Sequence, residues 1–146
     1  MSSKAIPRLD DRSFSRKQVQ SALRTGKSLE GSDLRGLDLS GICFDGANLK
    51  NCKFAETNLS NSTFKGADLS DASLWRANLK NANLEEACLV GADLEWCNLD
   101  GCMIRNANIF RAILPLQFVS SRQISDAIAS GKRIRIRTIR GNSPKS

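Results

Sequence analysis

Residues 62–101 read STFKG ADLSD ASLWR ANLKN ANLEE ACLVG ADLEW CNLDG, eight successive units of five with a large apolar residue in the third place and a small residue in the first. Outward from this stretch, the large residue recurs at every fifth position from Leu29 through Ile109, seventeen times without a miss. The small residue is present from Ala47 to Ala107 and is replaced only in the first turn, by Lys27, Ser32, Leu37 and Ile42. A period of five matches neither the 3.6 of a helix nor the 2 of a flat strand, so the chain must turn within every unit. In extended chain the first and third residues share a face and point inward, the second points outward, and the last two turn the corner. Corner composition agrees, with Gly in the fifth place at 31, 36, 41, 46, 66, 91 and 101, and Asn or Asp at 51, 61, 71, 81 and 106.

Units such as ANLKN at 47–51, ADLSD at 67–71 and ANLKN at 77–81 resemble the A-(D/N)-L-x-x pattern of the pentapeptide-repeat family, over residues 27 to about 114. That resemblance, closest in general type to small bacterial members, implies an all-β solenoid: a right-handed quadrilateral β-helix of four pentapeptides and twenty residues per coil. The period alone does not fix that number. Seventeen units would make slightly over four coils, with short α-helical caps at both ends.

Three segments follow: an N-terminal segment and capping helix at 1–26, the repeat at 27–114, and a C-terminal capping helix with a basic strand or tail at 115–146. The first helix is expected over 15–26, with Ser13 or Ser15 as N-cap, Val19, Ala22 and Leu23 on one face and Gly26 as stop. The second is expected over 121–130, with Ile124, Ala127 and Ile128 on one face and Gly131 as stop. The two echo each other at an offset of 105 residues, and the echo continues to Ile134 (as Leu29) and Ile139 (as Leu34), as expected either of a vestigial second repeat module or of two amphipathic caps under similar pressure.

The formal charge of +7 is unevenly placed. Residues 27–112 hold 9 Lys or Arg against 12 Asp or Glu, so the basicity lies in the two ends. Five cysteines, with no C-x-x-C pair, make a poor disulfide framework and point to a reducing, cytoplasmic compartment in a bacterium, with delivery as a secreted effector left open. There is no histidine, no Gly-rich phosphate loop and no metal-ligand spacing, so no catalytic residue, cofactor or metal is assigned. Cys52, Cys97 and Cys102 take the inward small place, whereas Cys43 and Cys88 point outward.

At twenty residues per coil, outward residues twenty apart stack. Asp45, Lys65, Glu85 and Arg105 would form a charge column, and Asp38, Asn58, Asn78 and Asn98 an amide ladder. Trp75 and Trp96 would be neighbours on one face, with Arg35, Arg76 and Glu95, as either a protein contact site or a surface covered by a terminal segment. A second apolar column, Val90 and Phe110, would be covered by the C-terminal segment. In the tail, Lys132, Arg133, Arg135, Arg137 and Arg140 alternate with apolar residues, as either an anion-binding edge or a capping strand whose arginines face water.

The leading expectation is a non-enzymatic protein-protein interaction or scaffold module, with dimerisation through a coil end left open. The resemblance implies a second reading, binding to DNA gyrase by DNA mimicry as in the Qnr and MfpA type, which the near-neutral rod and basic ends disfavour. The third is anion or nucleic-acid binding through the basic tail.

Overall fold

The computed structural model describes residues 14–136. Thirteen parallel bridges join residues twenty apart, from Asp33 with Lys53 to Asp93 with Ile113, so four pentapeptides complete one coil. The pattern runs one unit past Ile109, through Ile113 and Leu114. Each bridge is one residue wide, and no longer strand forms among the described residues. The reason is geometric: a corner every five residues leaves only the middle of each unit extended.

The unit at 77–81 shows why this sequence pattern closes into a coil. The N–H of Ala77 closes the preceding turn on the Leu74 carbonyl at 2.9 Å, Asn78 donates down to Thr57 at 3.0 Å, and Leu79 and Asn81 donate up to Asn98 and Asp100 at 2.9 and 2.8 Å. The remaining N–H, that of Lys80, has no neighbouring coil to reach. It donates instead to the Asn78 side-chain oxygen at 3.0 Å. Asp or Asn in the second place therefore completes the hydrogen bonding of its own corner. The same bond recurs at Asp33, Asp38, Asn48, Asn58, Asp68, Asn83, Asp93, Asn98 and Asn108. The fifth place is left-handed in every unit from 31 to 111, with φ between 56 and 76°, which explains its Gly, Asn and Asp content.

The third-place residues fill the interior and are almost wholly buried from Leu29 to Ile104. Phe44 and Phe64, one coil apart, stack at 4.9 Å between ring centroids, and Phe54 meets Phe44 edge-on at 6.2 Å. Where the small place is polar, its side chain donates to a carbonyl of the coil below: Thr57 to Leu34 at 2.7 Å, Ser62 to Leu39 at 2.8 Å, Cys97 to Leu74 at 2.7 Å. Buried hydroxyls and thiols thus keep a partner. In the first coil, which has no coil beneath it, Ile42 is buried and Leu37 half-buried in the same place.

Two helices flank the coils. The first, α1 (Arg16–Thr25), has Ser15 as N-cap in a reciprocal capping box with Gln18 and ends at left-handed Gly26. The second, α2 (Ser121–Ser130), repeats that design 105 residues later, with Ser120 and Gln123 forming the box and Gly131 the stop. Val19 of α1 and Ile124 and Ala127 of α2 are buried. Ile124 lies with Leu99, Ile104, Ile109 and Leu114 at the floor of the last coil.

Beyond α2 the chain returns to the rim of the last coil. Ile134 is 2% exposed, takes the Gly101 N–H at 2.7 Å and donates to Cys102 at 2.9 Å; Ile128 accepts from Asn106 at 3.1 Å. The expected alternation is present in burial, with Ile134 buried and Lys132, Arg133 and Arg135 exposed, but residues 132–136 form no strand. Ile134 sits across a corner, where a regular ladder cannot continue. Buried Ile134 matches buried Leu29, its counterpart in the echo, whereas Ile139 lies outside the described residues.

Two of the expected columns differ. Asp45, Lys65, Glu85 and Arg105 form no ion pair among the described residues; Asp45 instead accepts the Lys65 backbone N–H at 2.9 Å. The carboxylate is nearer to that corner N–H than to any ammonium group. The amide ladder does form over three rungs, from Asn78 to Asn58 at 3.5 Å and from Asn58 to Asp38 at 3.3 Å.

Candidate functional site

One face of the rod carries, up its middle, the second-place residues Asp33, Lys53, Ser73, Asp93 and Ile113. One corner is built by the fourth and fifth places of these same units, the other by those of the units before them. On one corner Trp75 and Arg76 sit in the fourth and fifth places, with Glu95 and Trp96 one coil above and Leu116 above those. Backbone bonds fix the stack, with Arg76 donating to Glu95 at 3.0 Å and Glu56 to Trp75 at 2.9 Å.

Trp75 and Trp96 do not meet as a ring pair. Because one occupies the fourth place and the other the fifth, Trp96 stands over Arg76 and Glu95 over Trp75. The half-buried Trp75 ring instead holds the Arg76 guanidinium at 5.1 Å. Trp96, at φ 63°, remains 44% exposed and takes Phe118 edge-on at 5.8 Å. The post-repeat segment thus supports Trp96 through one ring without covering the face.

Of the five residues expected here, Trp75, Arg76, Glu95 and Trp96 come together. Arg35 does not: it lies two coils below Trp75 and is forked onto Asp33 at 2.6 and 2.8 Å. That bond holds the Asp33 carboxyl below its ordinary range. Phe110 is 63% exposed and Val90 half-buried, so this second column is not covered as expected among the described residues. What touches Phe110 is the Arg111 guanidinium, at 5.2 Å from its ring.

Ile113 and Leu116, missed by sequence reading, complete the surface. Trp96, Phe110, Ile113 and Leu116, the exposed large apolar residues of the described chain, all lie at the upper end of this one face and its corners. The overlooked signal was Ile113, an isoleucine in an outward place that elsewhere is mostly polar.

The basic tail gathers no comparable site. Arg133 donates to the Gly101 carbonyl at 2.7 Å, and Arg135 presents its own carbonyl to Gln123 at 3.1 Å. Arg137 and Arg140 lie outside the described residues. Cys52, Cys97 and Cys102 are buried; burial pushes the Cys52 and Cys102 thiols up to about 12 and the Cys97 thiol higher still, so none is nucleophilic at neutral pH. Among the described residues no group of His, Cys, Asp or Glu is placed to hold a metal ion, and no helix is long and apolar enough to cross a membrane.

The sequence matches the family described as pentapeptide repeats, in eight copies, over residues 25–51, 42–79 and 77–114. Among curated proteins, none matches. Among solved structures, the chain is similar to a pentapeptide repeat protein of the Arabidopsis thaliana thylakoid lumen, 27% identical over 68% of this chain and 86% of that one, with a TM-score of 0.55. A pentapeptide repeat protein from Nostoc PCC 7120 is 26% identical over 64% and 78% of the two chains, TM-score 0.62. Rfr23 from the cyanobacterium Cyanothece 51142 is 33% identical over 60% and 56%, TM-score 0.50. The twenty-residue bridge register, the left-handed fifth place and this match together make the chain a member of the pentapeptide-repeat family.

Proposed function

We propose that the protein is a non-enzymatic protein-protein interaction module: a right-handed quadrilateral solenoid that presents the Trp75–Trp96 face to a protein partner. The observation that carries this reading is the collection of Trp96, Phe110, Ile113 and Leu116 at one end of one face, on a rod whose other faces show mostly polar side chains. Solvated apolar surface of this kind gains free energy when covered, at roughly 25 cal/mol per Å². Trp75 and Phe110 each carry a stacked arginine, so the contact combines aromatic surface with positive charge, a composition found at binding hot spots. Five unbridged thiols suit a reducing, cytoplasmic setting.

The test is capture of partners by the purified chain, with Trp75→Ala/Trp96→Ala as the comparison. Loss of captured protein supports the reading, and an unchanged set of partners removes this face from it.

A further inference from the structure

The partner that fits this face best is a second copy of the chain, an inference that rests on the interaction-module reading and goes further by naming the occupant. The argument is one of register. Going up the rod, one bordering corner presents Glu30, Lys50, Asp71, Val90 and then Phe110 with Arg111. The other presents Arg35, Glu56, Arg76, Glu95 with Trp96, and Leu116. Paired residues differ by about five positions, a rise of only about 1 Å when coils stack at about 4.8 Å.

A two-fold axis running up the middle of the face sets each corner of one copy against the other corner of its partner at equal height. Glu30 then meets Arg35, Lys50 meets Glu56, and Asp71 meets Arg76, with the sign reversed at each successive coil. Above them Val90 meets Trp96, Phe110 meets Leu116, and Arg111 comes within reach of Glu95. On the axis, Ile113 meets Ile113 and Ser73 meets Ser73, while Asp33, Lys53 and Asp93 each face their own counterpart, with the Lys53 of one copy a single coil above the Asp33 of the other. The two corners are therefore complementary, charged below and apolar above.

The opposite mode, end-to-end pairing through the last coil, is closed by α2 and by Ile134 on the rim at Gly101 and Cys102. We propose that the chain forms a parallel, side-by-side homodimer through the face centred on Asp33, Lys53, Ser73, Asp93 and Ile113. Five bridged levels make that face only about 20 Å long, at the small end of specific interfaces, so association is concentration-dependent with a dissociation constant in the range of tens of micromolar.

Sedimentation velocity on the full chain, from about 1 to about 200 μM, tests this. Asp71 and Arg76 are exposed, make no ion pair among the described residues, and occupy left-handed corners that Glu56 and Arg111 show to accept either charge. Asp71→Lys and Arg76→Glu should each weaken the dimer at least about 10-fold, and an equimolar mixture of the two variants should restore it, because every contact then pairs opposite charges. Ile113→Asp, on the axis, should abolish it. A chain that stays monomeric at about 200 μM, or a dimer indifferent to all three substitutions, overturns the proposal. A monomer whose capture of another protein still depends on Trp75 and Trp96 would overturn self-association while leaving the interaction-module reading standing. A dimer that obeys the charge swap, with no Trp-dependent capture, would support self-association as the use of this face.

Discussion

The Asp68 carboxylate oxygen accepts both the backbone N–H of Ser70, at 3.0 Å, and its hydroxyl, at 2.6 Å. This pair closes a corner whose N–H has no coil to bond to, and Lys50 approaches the other carboxylate oxygen at 3.7 Å. Asp68→Ala leaves that corner N–H to water and removes both side-chain bonds, so the expected loss is about 1–2 kcal/mol of unfolding free energy. Asp68→Asn keeps the accepting oxygen, as Asn58 does for Ser60 on the opposite face, and should lose less than half as much. Urea unfolding of the two variants measures the difference.

Carboxylates used in this way link the coil to pH. Asp33 is held below its ordinary range by its bond from Arg35, and Asp38 by the Ser40 hydroxyl. For Asp68, burial works in the opposite direction, yet the Ser70 bonds still lower it. A carboxyl with a lowered native pKa binds protons more readily unfolded than folded. It therefore contributes stability that is fully present above the unfolded value near 4 and is lost as pH falls through the lower folded value. Thermal midpoints should be flat from about pH 7 to 5 and fall steeply below about 4, and the combined Asp33→Asn/Asp38→Asn/Asp68→Asn variant should fall less steeply over that lower window.

Gly41 and Gly101 occupy the same corner of the coil three turns apart, both left-handed, at φ 70 and 76°. A Cβ on Gly41 would meet nothing within 4 Å, whereas one on Gly101 would press on the Asn81 side-chain oxygen and lie 3.4 Å from its Cα. Gly101 also donates to Ile134. Asn tolerates the left-handed region, so Gly41→Asn should shift stability by under about 1 kcal/mol, while Gly101→Asn should cost about 1–3 kcal/mol. Denaturant midpoints compared with the native chain decide it.

These cases show where sequence reading succeeds and where it stops. The five-residue unit was legible because a large apolar residue at every fifth place can be buried in only one way, whereas the twenty-residue coil followed from the family resemblance; the helices were legible because their apolar faces and the stops at Gly26 and Gly131 are local signals. The role of Asn or Asp in the second place was not, because its partner is a corner N–H that periodicity does not reveal. Nor was the full face, since Phe110 and Leu116 come from corner places that tolerate almost any residue, and only the coil brings them beside Ile113. Sequence places Trp75 and Trp96 on one face as neighbours but not the partner of each ring, because one residue of offset turns Trp75 to Arg76 and Trp96 to Phe118.

Ile134 is the residue on which the two readings of the basic tail can be tested apart. Its side chain is 2% exposed and its N–H and C=O both bond the rim of the last coil, at Cys102 and Gly101, where an unpaired edge would otherwise stand. Arg133, though exposed, supports the same rim through the Gly101 carbonyl, leaving Lys132 and Arg135 as the charges of the described segment whose side chains make no such bond. If the segment acts as a lid, Ile134→Ser opens a cavity and buries a hydroxyl, costing about 3 kcal/mol. It should lower the thermal midpoint clearly and raise binding of a hydrophobic dye to the floor formed by Leu99, Ile104 and Ile109. Lys132→Gln/Arg135→Gln should leave the melt unchanged. An anion-binding edge would behave in reverse: the charge variant would lose affinity for duplex DNA and flatten its salt dependence, while Ile134→Ser would melt like the native chain. The bonds at Gly101 and Cys102 favour the first pattern.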